Sequence, residues 1–315
     1  MEHRRLGQTD LSIAPLVFGG NVFGWTADKA TSFALLDRFV GAGLNAIDTA
    51  DVYSAWAPGN KGGESETIVG EWLKARGRRD DVVVITKVGS EMGPGKKGLK
   101  AAYIERAVEA SLRRLGIEAI DLYLAHFPDV TTPHEETLSA FAKLKQSGKI
   151  RWYGCSNYNA EQLQASFDAA KASGLPRFEV LQPEYNLYDR GKYEGALRDL
   201  CISAGLGVIT YFSLAKGFLS GKYRSDADTG QSPRGGGVKA YLNPRGFRIL
   251  DALAAVAARH DAKSADVALA WLIQRAGVTA PIASATKPAQ LQSLINGARL
   301  RLSAGDVAQL DAAAA

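Results

Sequence analysis

Residues 82–126 read VVVITKVGSEMGPGKKGLKAAYIERAVEASLRRLGIEAIDLYLAH, and their order decides the fold. Val82–Ile85 is a short, β-branched apolar run that ends in Thr86-Lys87. A loop rich in Gly and Lys follows. Ala101–Leu115 then sets Ile104, Val108, Leu112 and Leu115 on one helical face and stops at Gly116, a residue suited to the left-handed turn that ends a helix. Ile120–Ala125 is apolar again and ends at His126. Parallel strands covered on both faces read as such unbroken runs, so strand, helix and strand make one βαβ unit.

The unit recurs in both directions along the chain. Further strand candidates are Leu16–Phe18 before Gly19-Gly20, Leu44–Ile47 before Asp48, and Ile150–Cys155 before Ser156-Asn157. Val180-Leu181 precedes Gln182, Val208-Ile209 leads to Thr210-Tyr211, and Thr279–Ile282 leads to Ala283-Ser284. Helical period runs over Lys29–Val40, Glu64–Arg76, Pro133–Gln146 and a segment capped by Asn159 that reaches Ala172. Eight units of about 30–40 residues fill the 315-residue chain, so the expectation is an α/β fold, a (β/α)8 TIM barrel forming a single domain over 1–315 with long βα loops. The rival is a doubly wound sheet, which places a Gly-rich fingerprint after its first strand; Gly19-Gly20 does not supply GxGxxG. Two loops exceed the repeat: Gly59–Gly63 (GNKGG), expected to reshape one wall of the site, and Tyr223–Gly246, read as a lid that folds over a bound ligand. Ala312–Ala315 reads as a fraying tail.

Composition narrows the function classes. The net charge of +5 favours anionic ligands but is too small for a nucleic-acid footprint. Two cysteines, Cys155 and Cys201, cannot form a disulfide scaffold, and Cys155 has no evident base beside it, so a small buried thiol is its expected state. MEHRRLGQTD carries charges with no apolar run behind them, and no stretch is long and apolar enough to span a membrane. The four His residues at 3, 126, 134 and 260 are too far apart for metal-ligand spacing, so no metal is expected. The expectation is a cytoplasmic protein of undetermined oligomeric state.

In a barrel, chemistry gathers where strands end and βα loops begin. Those positions carry Asp48 and Tyr53 after the second strand, Lys87 after the third and His126 after the fourth. Each has a plain structural reading: a helix cap, packing, a solvated lysine, a satisfied core histidine. Four ionisable groups on one rim, from three neighbouring units, are a different matter. A free phenol, with a pKa near ~10, is a weak acid at neutral pH. A neighbouring ammonium stabilises the phenolate, and a carboxylate holds the ammonium in place. A histidine beside them can donate to a carbonyl oxygen where charge develops.

These residues stand in segments that resemble the aldo-keto reductases over essentially the whole chain. They are Asn45–Tyr53 (NAIDTADVY), Ile85–Lys87, Leu115–Asp129 (LGIEAIDLYLAHFPD), Gly148–Tyr158 (GKIRWYGCSNY), Leu181–Asn186 (LQPEYN) and Tyr211–Gly221 (YFSLAKGFLSG). The resemblance implies a barrel oxidoreductase with a nicotinamide cofactor, NADP(H) in preference to NAD(H). It implies Tyr53 as general acid, Lys87 and Asp48 as its tuning pair, and His126 as the group that positions a carbonyl. Ser156, Asn157 and Gln182 would face the nicotinamide carboxamide, Tyr211 would stack on the ring, and Ser213, Leu214, Gly217, Leu219 and Gly221 would cradle the pyrophosphate. Ser284, Thr286, Lys287 and Gln290 would serve the 2′-phosphate end. There the chain departs from the pattern: Ser293 and Leu294 stand where the family usually has a Glu-Asn pair against the adenine.

Trp25, Trp56 and Phe127 flank the rim as candidates for an aromatic substrate mouth. The expected substrate is a small carbonyl compound or the corresponding alcohol. Two other readings stay open at this point: a cofactor-bound interaction or redox-sensing module with little turnover, and an unrelated barrel lyase or isomerase.

Overall fold

The structure is a computed structural model that describes residues 1–233 and 235–315. Among these residues, eight parallel strands close into a barrel: β3 (Val17–Gly19), β4 (Ala46–Asp48), β5 (Val83–Val88), β6 (Ile120–Ala125), β7 (Ile150–Ser156), β8 (Val180–Gln182), β9 (Gly207–Thr210) and β10 (Ala280–Ala283), with β10 pairing back onto β3. They are the eight runs expected. Around them stand α1 (Lys29–Gly41), α2 (Glu64–Arg76), α3 (Ala101–Leu115), α4 (His134–Gln146), α5 (Ala160–Ala172), α6 (Ala196–Ser203), α8 (Ser264–Ile273) and α9 (Pro288–Arg299). The stops and caps read from sequence hold. Asn159 and Gln162 form a reciprocal cap on α5 and Gly116 ends α3 at φ 64°; α1 has a further cap, where Asp28 accepts from Thr31 N–H. Pro133 lies one residue outside α4.

The unbroken apolar runs resolve into two sets. Val17, Ala46, Val83, Ile85, Leu122, Leu124, Val180 and Ile209 point into the barrel, whereas Phe18, Ile47, Val84, Tyr123, Cys155, Leu181 and Val208 point out against the helices. Each strand alternates as any strand must; both faces are dry, so hydropathy shows no alternation.

Four features depart from the sequence reading. A hairpin of β1 (Arg4–Arg5) and β2 (Ser12–Ile13) closes the N-terminal end of the barrel, and its Leu6, Leu11 and Ile13 join the interior cluster. Strands of two residues leave no periodic trace. At Gly7, φ is 60° and a Cβ would come within 2.2 Å of Gly207 N, so only glycine lets the plug seat. The segment after β9 is largely ordered: 3₁₀ turns over Ala215–Ser220, Asp226–Gln231 and Gly235–Tyr241 lead into α7 (Pro244–Arg259), which therefore begins inside the expected loop. Buried Tyr223, Val238 and Tyr241 anchor it, with Tyr241 stacked on Phe218 at 5.3 Å. Finally, α10 (Ala304–Ala314) packs on α7 outside the ring of eight. Of the terminal alanines, Ala312–Ala314 are part of it and Ala315 follows it; Ala314 is buried and its carbonyl accepts from Arg245 Nη2 at 2.6 Å.

Candidate active site

The inward set fixes what emerges at the C-terminal rim. Two residues beyond Ala46 is Asp48; beyond Ile85, Lys87; beyond Leu124, His126; beyond Val180, Gln182; beyond Ile209, Tyr211. Side chains repeat every second residue, so each is the next inward position after a core residue. The strand that buries the core thus delivers the polar group to the rim.

Lys87 lies at the centre. Its Nζ donates to Asp48 Oδ2 at 2.8 Å, to the Thr49 carbonyl at 2.8 Å and to Tyr53 Oη at 2.9 Å. All three ammonium protons are committed, which fixes the Lys87 head group. Lys87 is fully buried; burial pulls its proton affinity down, and Asp48 opposes that most strongly. Tyr53 Oη in turn donates to Asp48 Oδ2 over a long 3.3 Å. A stronger acceptor on the rim could therefore take that proton. Asp48 Oδ1 accepts from Gln182 Nε2 at 2.9 Å, so both carboxylate oxygens are used.

His126 stands beside Tyr53, with ring centroids 6.0 Å apart, and stacks on Phe127 at 4.9 Å. Burial, followed by the nearby Lys87 charge, holds its pKa well below the ordinary histidine value. The imidazole is neutral at pH 7 and can donate one hydrogen bond without adding a charge. Asn157 is the next link: its Nδ2 donates to the His126 carbonyl at 2.8 Å, and its Oδ1 accepts from Tyr211 Oη at 2.6 Å. Ser156 Oγ donates to the Gln182 carbonyl at 2.8 Å.

A cavity of about 710 Å³ runs from this cluster across the barrel mouth. Asp48, Tyr53, His126, Trp56 and Phe127 line one end; Ser213, Leu214, Gly217, Ser284, Thr286 and Gln290 line the other. The sequence model of the aldo/keto reductase family matches residues 15–315. The chain belongs to that family. It is 33% identical to a probable voltage-gated potassium channel subunit beta of Oryza sativa subsp. japonica, over 92% of this chain and 89% of the relative. It is likewise 33% identical to the uncharacterized oxidoreductase YrpG of Bacillus subtilis (strain 168), over 96% and 92%. The L-glyceraldehyde 3-phosphate reductase of Escherichia coli (strain K12) is 29% identical, over 99% and 92%. The family makes the protein an oxidoreductase.

In this aldo/keto reductase, most residues singled out from sequence meet on the cavity wall, but five do not, the first being Lys87, fully buried behind Asp48 and Tyr53. Trp25 packs edge-on behind Trp56 at 5.7 Å without reaching the wall, and Leu219 is buried beneath it. Gly221 also lies off the wall, its left-handed φ of 82° ending the 3₁₀ turn. Lys287 stands just before α9 with an exposed side chain, outside the lining. Ser293 reaches the wall, although its hydroxyl is taken by Asp266 Oδ1. The GNKGG loop does not border the cavity at all; Asn60 Nδ2 ties it to the Gly24 and Ser54 carbonyls at 2.8 and 3.0 Å.

Sequence reading missed three cations. Lys216, Lys222 and Lys263 line the cavity on its Ser213–Gly217 side, and among the described residues none is held in an ion pair with a carboxylate. Lys216 sits inside the YFSLAKGFLSG motif and could have been found there; Lys263 precedes α8 and nothing local marks it. The Lys216 stem runs under Gly237, where a Cβ would lie 3.1 Å from its Cδ, so the ordered lid segment rests on it. No helix among the described residues is long and apolar enough to cross a membrane.

Proposed function

We propose that this protein is an NADP(H)-dependent reductase of aldehydes or ketones, with Tyr53 as the general acid. The observation that carries the reading is one cavity with two chemically distinct ends. At one end a phenol is held between an ammonium and a carboxylate beside a neutral imidazole; at the other, three lysines have no carboxylate partner among the described residues.

The residues fit a dinucleotide cofactor. Ser156, Asn157, Gln182 and Tyr211 would hold the nicotinamide end, and Ser213, Leu214, Gly217 and the lysines the phosphates. Ser284, Thr286 and Gln290, with apolar Leu294 and Ala265 on the wall, would take the adenosine end. Lysine ammoniums without carboxylate partners suit phosphate oxygens, and a 2′-phosphate uses more of them than the pyrophosphate alone. When bound, the cofactor supplies the hydride. The chain's own part is to hold a substrate carbonyl oxygen between His126 Nε2 and Tyr53 Oη and to give it the Tyr53 proton. The Lys87 ammonium, already 2.9 Å from that phenol oxygen, then balances the charge left on it. Trp56 and Phe127, both about half exposed, offer apolar surface for the rest of the substrate.

Thermal-shift titration should show stronger stabilisation by NADPH than by NADH, since a ligand that binds the folded form stabilises it in proportion to its affinity. Aldehydes should then drive NADPH oxidation. Nucleotide binding without turnover on a broad aldehyde and ketone panel would favour a binding or sensing role, and no shift with either nucleotide would sink both readings. Lys263→Ala should weaken NADPH binding about tenfold, the lower range for a charge-assisted contact at an exposed lysine, with the loss shrinking as salt rises. NADH affinity should change less. Equal losses for the two nucleotides would place Lys263 at the pyrophosphate instead.

A further inference from the structure

Behind the barrel wall lies a carboxyl group that the chemistry above does not use. Asp51 falls between β4 and α2, two residues before Tyr53, and is 1% exposed. Among the described residues neither of its carboxyl oxygens has a hydrogen-bond partner, and the Val52 N–H only weakly favours its charged form. Its own N–H donates to the Lys87 carbonyl at 3.3 Å, so its backbone is tied to the strand that carries Lys87.

The groups that face Asp51 come from four elements. From α2 comes Glu66, a buried carboxylate. Its Oε1 accepts from Thr86 Oγ1 at 2.7 Å and its Oε2 from Arg114 Nε at 2.6 Å. Arg114, on α3, is thereby committed to Glu66. Tyr103, also on α3, and Tyr123, on β6, add two phenols; the Tyr123 hydroxyl is buried without a partner. Lys87 of β5 is the remaining cation, and Asp48 and Tyr53 already engage it. The GNKGG loop makes the roof. At Gly62, φ is 89° and a Cβ would lie 3.0 Å from the Asp51 carbonyl and 2.6 Å from Met92 Cε; at Gly63 it would strike the Arg114 side chain.

A carboxylate sealed from water, without donors and beside another carboxylate, is costly, and the neutral acid is the cheaper form. We propose that Asp51 is a positioning residue of the reductase: an uncharged carboxylic acid behind Lys87 whose ionisation resets the field in which Lys87 and Tyr53 work. The part that concerns turnover rests on the reductase reading; the ionisation does not. Burial, and next Glu66, push the Asp51 carboxyl up to about 8, against Arg114, the Val52 N–H and Lys87. When Asp51 loses its proton, a second negative charge faces Lys87. That charge favours the ammonium but opposes negative charge on the Tyr53 oxygen, which is what Tyr53 acquires on giving up its proton.

Two measurements on Asp51→Asn test this. The first is thermal stability against pH and needs no catalysis. The folded form holds the Asp51 proton up to about 8, whereas an unfolded aspartate releases it near ~3.9, so the wild type loses stability as pH rises between those values. Asp51→Asn has no such loss. Its melting temperature relative to wild type should climb across that window and level off above it; a flat or falling difference would show Asp51 ionised and overturn the proposal. The second is the pH profile of NADPH-dependent reduction. Wild-type kcat should fall through an inflection near pH 8 by about tenfold, the size of effect one buried charge has on a neighbour's proton affinity. Asp51→Asn should keep its low-pH rate past that point, and an unchanged inflection would remove the positioning role. A rising stability difference in a protein that reduces no carbonyl would leave the buried acid standing and remove the reductase reading. Should Asp51→Asn fail to fold, Glu66→Gln removes the like charge and should move both pH features to lower pH; features that stay in place would refute the coupling.

Discussion

Tyr53→Phe should lower carbonyl reduction by about 10²–10⁴-fold, the range lost when a positioned proton donor is removed. NADPH affinity should stay within a few-fold of wild type. The argument is geometric. Lys87 gives Tyr53 a hydrogen bond at 2.9 Å and thereby orients the phenol oxygen, while the phenol donates to Asp48 Oδ2 over a long 3.3 Å. Phenylalanine keeps the ring and its packing, with Trp56 at 6.1 Å and His126 at 6.0 Å, and deletes only the hydroxyl. It also leaves one Lys87 proton unsatisfied in a buried place, so a stability loss of about 1–3 kcal/mol is expected beside the catalytic one. The two are separable, because a destabilised enzyme recovers its rate per folded molecule at lower temperature and an enzyme without its acid does not. Full activity in Tyr53→Phe would transfer the acid role to another group, with the neutral His126 the next candidate.

How far the sequence led depends on how local the physics is. The barrel was legible because eight strands dry on both faces leave eight apolar runs, and helices such as α5 and α3 carry a readable start or stop. The rim was legible for a related reason: Asp48, Lys87, His126 and Gln182 are each the next inward residue after a core position, so strand parity alone brings them together. What escaped was set by packing between distant segments. The β1–β2 plug is too short for any period. Lys263 reaches the cavity because the start of α8 lies against the turn after β9, where a Cβ at Gly221 would sit 3.5 Å from Ser264 Oγ. Lys287 had a local signal, a strand end followed by a helix start, yet its side chain is exposed off the wall. Asp51 is quoted in the same NAIDTADVY segment as Asp48 and Tyr53, but its surroundings come from α2, α3, β5 and β6 and no spacing announces them.

Lys87→Met should abolish turnover and cost about 3–5 kcal/mol of stability, the usual range when one partner of a buried ion pair is removed. Methionine matches the stem of lysine in length and leaves little cavity, so the cost is chiefly electrostatic. Asp48, 2% exposed, would keep Gln182 Nε2 and the distant Tyr53 hydroxyl but lose its only cation within 4 Å among the described residues. The Thr49 carbonyl would lose its donor as well. Adding Asp48→Asn removes the orphaned charge, so the double variant should regain about 1–3 kcal/mol over Lys87→Met, a coupling typical of residues in direct contact. Activity should not return with it, because neither the ammonium beside Tyr53 nor its anchor is restored. Chemical denaturation of the four proteins in the cycle measures the coupling, and single-turnover rates with NADPH measure the chemistry. Additive stability losses would mean that Lys87 and Asp48 do not depend on each other. Recovery of turnover in the double variant would mean that Tyr53 works without the charge beside it.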